Sequence, residues 1–373
     1  MRLRLRSLLS VVALSLLALS STSVFAAPRV QDKGVVSRTV SATKQREALK
    51  FWTRERLNAT TALEMPVGTA AEAAAGATAV NESVAAGPSG QSAAGAPAAS
   101  VDAVLQAAYA EDWAAMAGDP ALESAVDLEV GTSQVFTSYV VNQLSSMQTI
   151  FPHRWFGRLS FSTPGGTSYC SATATSKNTI VTAAHCVYDT VQNRFYSNWV
   201  FTPAFRNGSA PFGTFPARSC TILTAYVNQP NYSINGAAPH DVAVCKMNNN
   251  SAGVSLNSAV GWAGRSWNFP YLRHFHTVGY PFRNTSQNLL TSAGLYLRTC
   301  AAESFIQSTE VRGMGCNWGG GISGGAWFIA YAPGVVGGWV DGVNSGIFVG
   351  QQNLYGPRFN SNNIVPLCNA VGC

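Results

Sequence analysis

Three short stretches of this 373-residue chain carry side chains that together could perform acyl transfer. His185 lies in Thr-Ala-Ala-His-Cys, Asp241 in His-Asp-Val-Ala-Val, and Ser323 in Gly-Ile-Ser-Gly-Gly. A histidine held about 2.6–3.2 Å from a serine hydroxyl can take its proton, and a carboxylate can orient that histidine. The motifs therefore predict a base, an acid and a nucleophile, in that order along the chain.

The base and the acid each have a structural alternative. An isolated histidine is more often structural, but His185 follows a β-type run and precedes Cys186. A disulfide from Cys186 to Cys170 would hold that turn, and such a short crosslink is typically worth about 2–4 kcal/mol. Asp241 opens an apolar run, where a carboxylate needs a hydrogen-bonding partner that His185 would supply. Asp189 is disfavoured as the acid because only four residues separate it from His185.

The predicted nucleophile sits among glycines. Residues 319–321 and 324–325 are all glycine, which lets the backbone turn tightly and approach a substrate closely. The backbone N–H groups of Gly321 and Ser323 are the predicted oxyanion hole, and losing one such donor typically costs about 2.7–4 kcal/mol of transition-state stabilisation. The alternative is a flexible glycine-rich loop with an incidental serine.

The Gly-x-Ser-x-Gly pattern also fits the nucleophile elbow of α/β-hydrolases, which place their histidine after the serine. All histidines of this chain precede Ser323, at positions 153, 185, 240, 274 and 276. The esterase or lipase interpretation is excluded on this point.

The chain divides into three parts. A basic start, a short apolar run and small residues before Ala27 predict a signal peptide over residues 1–26 and hence secretion. Residues 27–130 are predicted to be a flexible and helical pro-segment, with a helix over 43–64 and an Ala/Gly/Ser-rich stretch over about 66–100. An N-terminal extension that is never removed is the alternative. Residues 131–373 form the predicted main domain.

The cysteines indicate an oxidising compartment. All eight lie in the predicted main domain, which favours disulfides. Their spacing suggests four neighbouring pairs, although it does not prove the connectivity: Cys170–Cys186, Cys220–Cys245, Cys300–Cys316 and Cys368–Cys373. A metal site is disfavoured, since there is no Cys-x-x-Cys and no histidine pair within a cysteine cluster. We therefore expect no metal.

After about residue 130 the chain consists of short β-type runs separated by Gly, Pro, Asn and Ser, including residues 155–161, 179–182 and 345–349. This texture predicts an all-β fold, and about 240 residues suit two packed six-stranded antiparallel β-barrels. From residue 130 onward, thirteen basic residues against five acidic ones give a charge of +8. The basic residues are scattered singly, so we expect ordinary solubility and neither a nucleic-acid nor a membrane partner.

At these motifs the chain resembles the chymotrypsin-like (trypsin-superfamily) secreted serine proteases, in particular the branch that includes the V8-type glutamyl endopeptidases. The resemblance covers roughly residues 150–365 and rests on residues 316–325, on Val-Gly-Tyr-Pro at 278–281 and on Gly-Val-Asn-Ser at 342–345. It implies a secreted serine endopeptidase that is made as a precursor and cleaves protein or peptide substrates through an acyl-enzyme. We expect a monomer that needs no cofactor.

Two departures from the family pattern concern activation. Ile322 stands where digestive-type relatives carry an Asp that pairs with a newly freed N-terminus, and Ala326 replaces the usual Pro. This chain therefore cannot activate through that ion pair. Our hypothesis is that removal of the pro-segment uncovers the cleft.

The resemblance also bears on the substrate. Asn317 falls where trypsin-like relatives place the Asp that binds Arg or Lys, so cleavage after basic residues is disfavoured. Glutamyl-specific relatives use a histidine near the substrate-side strand, and residues 343–345 offer none. Asn317, Asn344 and Ser345 are the candidates to bind the substrate side chain. The competing class is a catalytically silent, protease-like binding protein, against which the intact triad argues.

Overall fold

The computed structural model describes residues 34–75, 88–96, 129–130, 135–141, 147–229, 231–290, 293–331 and 337–373. These residues belong to one compact unit, Asp32–Cys373. The predicted signal peptide lies outside the described residues, as do residues 76–87 and 97–128 of the predicted pro-segment.

Runs rich in β-branched and aromatic residues form the strands, because these side chains pack well on a pleated, half-buried surface. The described strands are β1 (Val35–Thr39), β2 (Thr61–Ala62), β3 (Gly90–Gln91), β4 (Glu129–Val130), β5 (Phe136–Val140), β6 (Phe156–Thr163), β7 (Gly166–Thr175), β8 (Thr179–Thr182), β9 (Tyr188–Asp189), β10 (Arg194–Phe195), β11 (Ser197–Pro203), β12 (Phe215–Leu223), β13 (Ala243–Met247), β14 (Gly264–Trp267), β15 (His274–Gly279), β16 (Arg298–Ser308), β17 (Val311–Gly315), β18 (Ala326–Ile329), β19 (Trp339–Val343) and β20 (Asn353–Pro357). The helices are α1 (Ala42–Phe51), α2 (Arg54–Ala59), α3 (Ala70–Ala75), α4 (Thr224–Val227), α5 (Leu256–Val260) and α6 (Ile364–Val371).

The first sheet closes on itself. Its order is β12–β11–β6–β7–β8–β13, and β13 pairs back with β12 to complete a six-stranded antiparallel barrel. Two strands of the N-terminal segment, the described part of the chain before residue 131, extend this sheet. Strand β1 pairs antiparallel with β12, and β2 pairs parallel with β7.

The second sheet contains the run β20–β17–β16–β15–β18–β19, with β3, β4, β5 and β14 added around it. An isolated bridge between Gly346 and Tyr355 joins the segment after β19 to β20. The predicted all-β architecture is confirmed. Residues 345–349 differ from the prediction, because they make isolated bridges and no regular strand.

The two sheets meet through aromatic side chains. Phe328 of β18 packs edge-on against Phe156 of β6, with ring centroids 5.4 Å apart, and lies 6.1 Å from Trp155. All three side chains are fully buried. Such aromatic pairs contribute roughly 0.5–1.5 kcal/mol beyond the area they bury, so this cluster fixes the two halves of the main domain against each other.

The N-terminal segment is helical where predicted, but in two pieces. Helix α1 ends before Trp52, whose buried indole donates to the carbonyl of Asn198 at 2.7 Å. Thr53 then caps α2 by accepting from the backbone N–H of Arg56, as N-cap residues do. Residues 60–64 are extended, so the single helix predicted over 43–64 is wrong at residues 52–53 and 60–64.

All eight cysteines are paired as the spacing suggests: Cys170–Cys186, Cys220–Cys245, Cys300–Cys316 and Cys368–Cys373. Cys170–Cys186 ties β7 to the turn after β8, and Cys220–Cys245 joins β12 to β13. Within the described ranges, no helix is both long enough and apolar enough to cross a membrane.

Candidate active site

His185 sits in a short 3-10 turn, Ala184–Cys186, directly after β8. Cys186 fixes this turn through its disulfide to Cys170 on β7, and the N–H of Cys186 donates to the carbonyl of Ala183 at 3.2 Å. The histidine is 7% exposed. It is therefore held by the strand end and the crosslink together.

Asp241 follows a second 3-10 turn, Ala238–His240, and precedes β13. Its fully buried carboxylate accepts from the backbone N–H of His185 at 2.8 Å and from His185 Nδ1 at 2.7 Å. A carboxylate only accepts, so Nδ1 carries the proton and Nε2 is left with a lone pair. Asp241 thus sets the tautomer that a general base requires.

Ser345 lies against this acid. Its hydroxyl donates to Oδ2 of Asp241 at 2.5 Å and is 2.8 Å from the hydroxyl of Tyr232, which donates to it. Burial, and secondly the charge of Asp241, hold the pKa of Tyr232 well above its ordinary value of 10. Tyr232 therefore stays a neutral donor. Sequence analysis did not identify this tyrosine as part of the site, because it lies in a polar loop without a catalytic motif.

Ser323 lies in the loop between β17 and β18. Gly324, beside it, has a φ of +74°, a left-handed conformation that favours glycine. A Cβ on Gly324 would lie 2.0 Å from Oγ1 of Thr182 and 2.5 Å from the carbonyl of Ser171. This close approach brings the nucleophile loop to the end of β8, next to the turn that carries His185.

Ser171 of β7 holds the same loop from the first barrel. Its backbone N–H donates to the carbonyl of Ser323 at 2.8 Å, and its hydroxyl donates to the carbonyl of Gly321 at 2.9 Å. In return, Ser171 Oγ accepts from the N–H of Tyr280 at 2.8 Å. Ser323 Oγ and His185 Nε2 are both buried and have no hydrogen-bond partner within the described part of the chain. The two atoms that the predicted proton transfer would join are therefore not hydrogen-bonded to each other.

Gly321 has a φ of +88°, and its N–H is the first predicted oxyanion donor. It donates to the carbonyl of Leu63, in the N-terminal segment, at 3.0 Å. The side chain of Ser323 is 0% exposed. Ser323 is thus covered, and its hydroxyl makes no hydrogen bond to His185.

Comparison with known proteins agrees with this geometry. Residues 145–356, more than half of the chain, match the model of the trypsin family. The chain belongs to the trypsin family. The resemblance to chymotrypsin-like serine proteases seen in the motifs is confirmed.

Individual relatives are more distant. An extracellular metalloprotease of Bacillus subtilis (strain 168) is 30% identical over 122 residues, or 32% of this chain and 35% of that protein. The chain thus matches about one third of the length of this curated relative. The protease Anisep from Arthrobacter nicotinovorans is 27% identical with a TM-score of 0.49, covering 58% of this chain and 94% of that one. A Glu endopeptidase solved in complex with MPD is 18% identical with a TM-score of 0.50, covering 65% and 99%, a likeness of fold.

Two of the predicted substrate-binding residues of this trypsin-family chain differ in their surroundings. The fully buried side chain of Asn344 accepts from Trp327 Nε1 at 2.7 Å and donates to Thr277 Oγ1 at 2.6 Å and to the carbonyl of Gly325 at 3.1 Å. It therefore braces the nucleophile loop from behind. Asn317 is half-buried, and its Oδ1 has no hydrogen-bond partner among the described residues.

The surroundings of Ile322 are incompatible with an ion pair between this position and a freed N-terminus. Its side chain is fully buried in an apolar cluster with Cys316, Trp318 and Ile347. A charged partner has no place in such surroundings, because burying an unpaired charge is costly.

Proposed function

We propose that the chain is a secreted serine endopeptidase that uses Ser323 as nucleophile, His185 as base and Asp241 as orienting acid. The observation that carries this proposal is the buried Asp241 carboxylate, which binds both the backbone N–H and the Nδ1–H of His185. Membership of the trypsin family supports proteolytic function.

The proposed reaction has two halves. Ser323 Oγ attacks the peptide carbonyl carbon while His185 Nε2 takes the hydroxyl proton. The N–H groups of Gly321 and Ser323 stabilise the oxyanion. The C–N bond then breaks, and His185 gives the proton to the leaving amine, which leaves an acyl-enzyme ester on Ser323. Water attacks this ester with His185 again as base, and the product acid and the serine hydroxyl are regenerated.

The proposed precursor carries a signal peptide over residues 1–26 and a pro-segment over 27–130, and its substrates are proteins or peptides. Four disulfides suit an oxidising compartment. The name of the Bacillus relative refers to a metal. In the described residues, the group of potential metal ligands is His185 with Cys170 and Cys186, and both sulfurs are bonded to each other.

A fluorophosphonate probe, which labels activated serines, tests the proposal. The processed, secreted protein is expected to be labelled, whereas Ser323→Ala and His185→Ala are not, because loss of either group typically costs on the order of 10⁶ in turnover. Ser209→Ala, at an exposed serine, is the matched control and should label like wild type. Absence of labelling in a folded, processed wild type would favour the silent binding protein instead.

A further inference from the structure

Residues 60–68, here called the cleft segment, cross the active site between the two barrels. At one end, Thr61 and Ala62 pair in parallel with Ser168 and Tyr169 of β7. The N–H of Leu63 then donates to the carbonyl of Tyr169 at 2.9 Å. The segment therefore begins as an added strand on the first barrel.

At its other end the cleft segment pairs with Ile347, in the stretch that follows β19 of the second sheet. The N–H of Ile347 donates to the carbonyl of Pro66 at 3.1 Å, and the N–H of Gly68 donates to the carbonyl of Ile347 at 2.9 Å. The bridge between Val67 and Ile347 is again parallel. Both edges of the cleft thus receive main-chain hydrogen bonds from one stretch of chain.

The middle of the cleft segment lies on the catalytic groups. The carbonyl of Leu63 accepts from Gly321 N–H, the donor proposed for the oxyanion. The carboxylate of Glu64 approaches so closely that a Cβ on Gly320 would meet it at 2.8 Å, and it pairs with Arg283 at 3.3 Å. The full burial of Ser323 beneath this stretch means that a substrate carbonyl cannot reach the nucleophile.

The direction of a cleavable peptide follows from His185. The imidazolium must give its proton to the leaving amine, so the leaving side of the substrate lies beside His185. Cys186, the next residue, is bonded to Cys170, which follows Tyr169. The edge at Tyr169 is therefore the leaving-group side, and the edge at Ile347 is the acyl side. A productive substrate runs from Ile347 towards Tyr169.

The cleft segment runs the other way, from Tyr169 at residues 61–63 to Ile347 at residues 66–68. We propose that it is a built-in inhibitor that occupies the substrate cleft in the reverse direction. This inference rests on the proposed function of the same site. If Ser323 attacked Leu63, the leaving nitrogen would be that of Glu64, on the Ile347 side and away from His185. The amine would stay unprotonated and the attack would reverse, so the segment would block the site without being cut there.

Thr60 anchors the start of the segment. The buried guanidinium of Arg158 donates to Thr60 Oγ1 and, at 3.4 Å, to the carbonyl of Gly294. It also stacks on the ring of Tyr169 at 3.6 Å. A buried cation held in this way prevents the segment from sliding along β7, because a slip would take away one of its acceptors.

Met65 indicates the class of substrate that the blocked cleft accepts. This side chain is 4% exposed and belongs to an apolar cluster with Trp318, Ile347 and Leu354. Trp318 directly follows Asn317 in the chain, and Ile347 lies on the acyl-side edge, where the side chain that precedes the scissile bond must bind. The same pocket should therefore take an unbranched or γ-branched apolar side chain, such as Met or Leu, from a substrate.

The full-length precursor tests the inhibitor. Met65→Asp places a charge in the apolar pocket and should raise the rate of fluorophosphonate labelling of the uncut precursor at least about tenfold, because burying an unpaired charge is strongly unfavourable. Glu64→Lys, at an exposed position, should raise it about two- to fivefold by removing a surface ion pair, without endangering the fold. Val191→Asp is the control: it also introduces an aspartate in place of an apolar side chain, but at a site that is 88% exposed, and it should label like wild type. Intact mass confirms that no chain has been cut.

Amide hydrogen exchange separates this inference from the proposed function. In the Met65→Asp precursor, the N–H groups of Gly321 and Ile347 should exchange faster than in wild type, whether or not Ser323 is reactive. Faster exchange, combined with no labelling of either the precursor or the processed protein, would support the inhibitory position of the cleft segment and overturn the proposed protease function. Unchanged exchange, or a wild-type precursor that is labelled as fast as Met65→Asp, would overturn the inhibitor.

Cleavage profiling with a peptide library tests the pocket. The processed protein should cut after Met and Leu at least about tenfold faster than after Glu, Lys or Arg, since a charged side chain would be desolvated there. Preferential cleavage after a charged residue would show that Met65 does not lie in the pocket for that side chain. In the uncut wild-type precursor the Leu63–Glu64 bond should stay intact, and its cleavage within the same chain would refute the reverse direction.

Discussion

The two sides of the cleft are built by different means. On the first barrel, His185 and Asp241 are joined by charge-assisted hydrogen bonds and a nearby disulfide. On the second sheet, Ser323 is placed by left-handed glycines and by a main-chain hydrogen bond from Ser171. The first side should therefore be sensitive to changes of charge and tautomer, and the second to the addition of a single carbon atom.

Among the variants that separate the two sides of the cleft, the largest effect is expected from Asp241→Asn. The amide keeps the shape of the carboxylate but no longer enforces the Nδ1–H tautomer of His185, so turnover should fall about 10⁴-fold with little loss of stability. Steady-state kinetics and thermal unfolding of the processed protein measure both. Asp189→Asn is the control, since Asp189 only accepts from the N–H groups of Val191 and Gln192. If both variants lose activity equally, Asp241 does not have the assigned role.

Gly324→Ala should displace the loop that carries Ser323, on the other side of the cleft. The new Cβ would meet Thr182 Oγ1 at 2.0 Å, and displacement of the loop by about 1 Å can cost on the order of 10²-fold in rate. The midpoint of urea unfolding should fall as well. Gly253→Ala is matched in conformation, with a φ of +79° and no neighbouring atom within 4 Å. It should show only the backbone cost of about 1–2 kcal/mol, and equal destabilisation of the two variants would contradict the steric argument.

His153 lies at the contact between the two halves of the main domain, and it should make the free energy of unfolding depend on pH. This histidine lies just before β6, and its Nε2 contacts the hydroxyl of Tyr331, which follows β18. Burial lowers its pKa from 6.5 to about 4, so only the unfolded chain binds a proton between these values. The contribution of His153 to the free energy of unfolding is therefore fully present above pH 6.5. It is lost as the pH drops towards 4, which lowers the free energy of unfolding by up to about 3 kcal/mol.

This prediction is best measured by urea unfolding in the Ser323→Ala background, which removes self-digestion. His153→Gln should lose less stability than its parent over the same pH range. A parent and a variant with parallel pH profiles would show that His153 does not control acid stability.

Asn344→Ala should weaken the support behind the nucleophile. It leaves the indole N–H of Trp327 and the hydroxyl of Thr277 without their partner, which costs roughly 1–3 kcal/mol for an unsatisfied buried group. Turnover should fall on the order of tenfold as the loop loosens. Asn317→Ala, at the half-buried neighbour of the pocket, should keep its stability and change KM or specificity instead. The reverse outcome would exchange the roles of the two residues.

These two asparagines show what the sequence could and could not predict. The motifs predicted the all-β class and the disulfide pairs, because local spacing carries these features, and the triad assignment, which stays a prediction, rests on the same kind of local signal. They could not separate Asn344 from Asn317, since that difference depends on which strand lies behind each side chain. Residues 345–349 read as a strand, yet Ile347 finds its partner in Val67, about 280 residues earlier in the chain. No local pattern predicts such a pairing.

A small effect is expected from Ser345→Ala, and it decides how the acid is supported. The hydroxyl is one of three donors to Asp241, and the two from His185 remain, so turnover should fall only about threefold, the cost of one modest hydrogen bond. KM should not change, because Ser345 contacts the acid and Tyr232. Tyr232→Phe removes the donor behind Ser345 and should have a still smaller effect on turnover. If Ser345→Ala changes KM or the preferred substrate side chain while leaving turnover intact, Ser345 lines the specificity pocket, and the acid is supported by His185 alone.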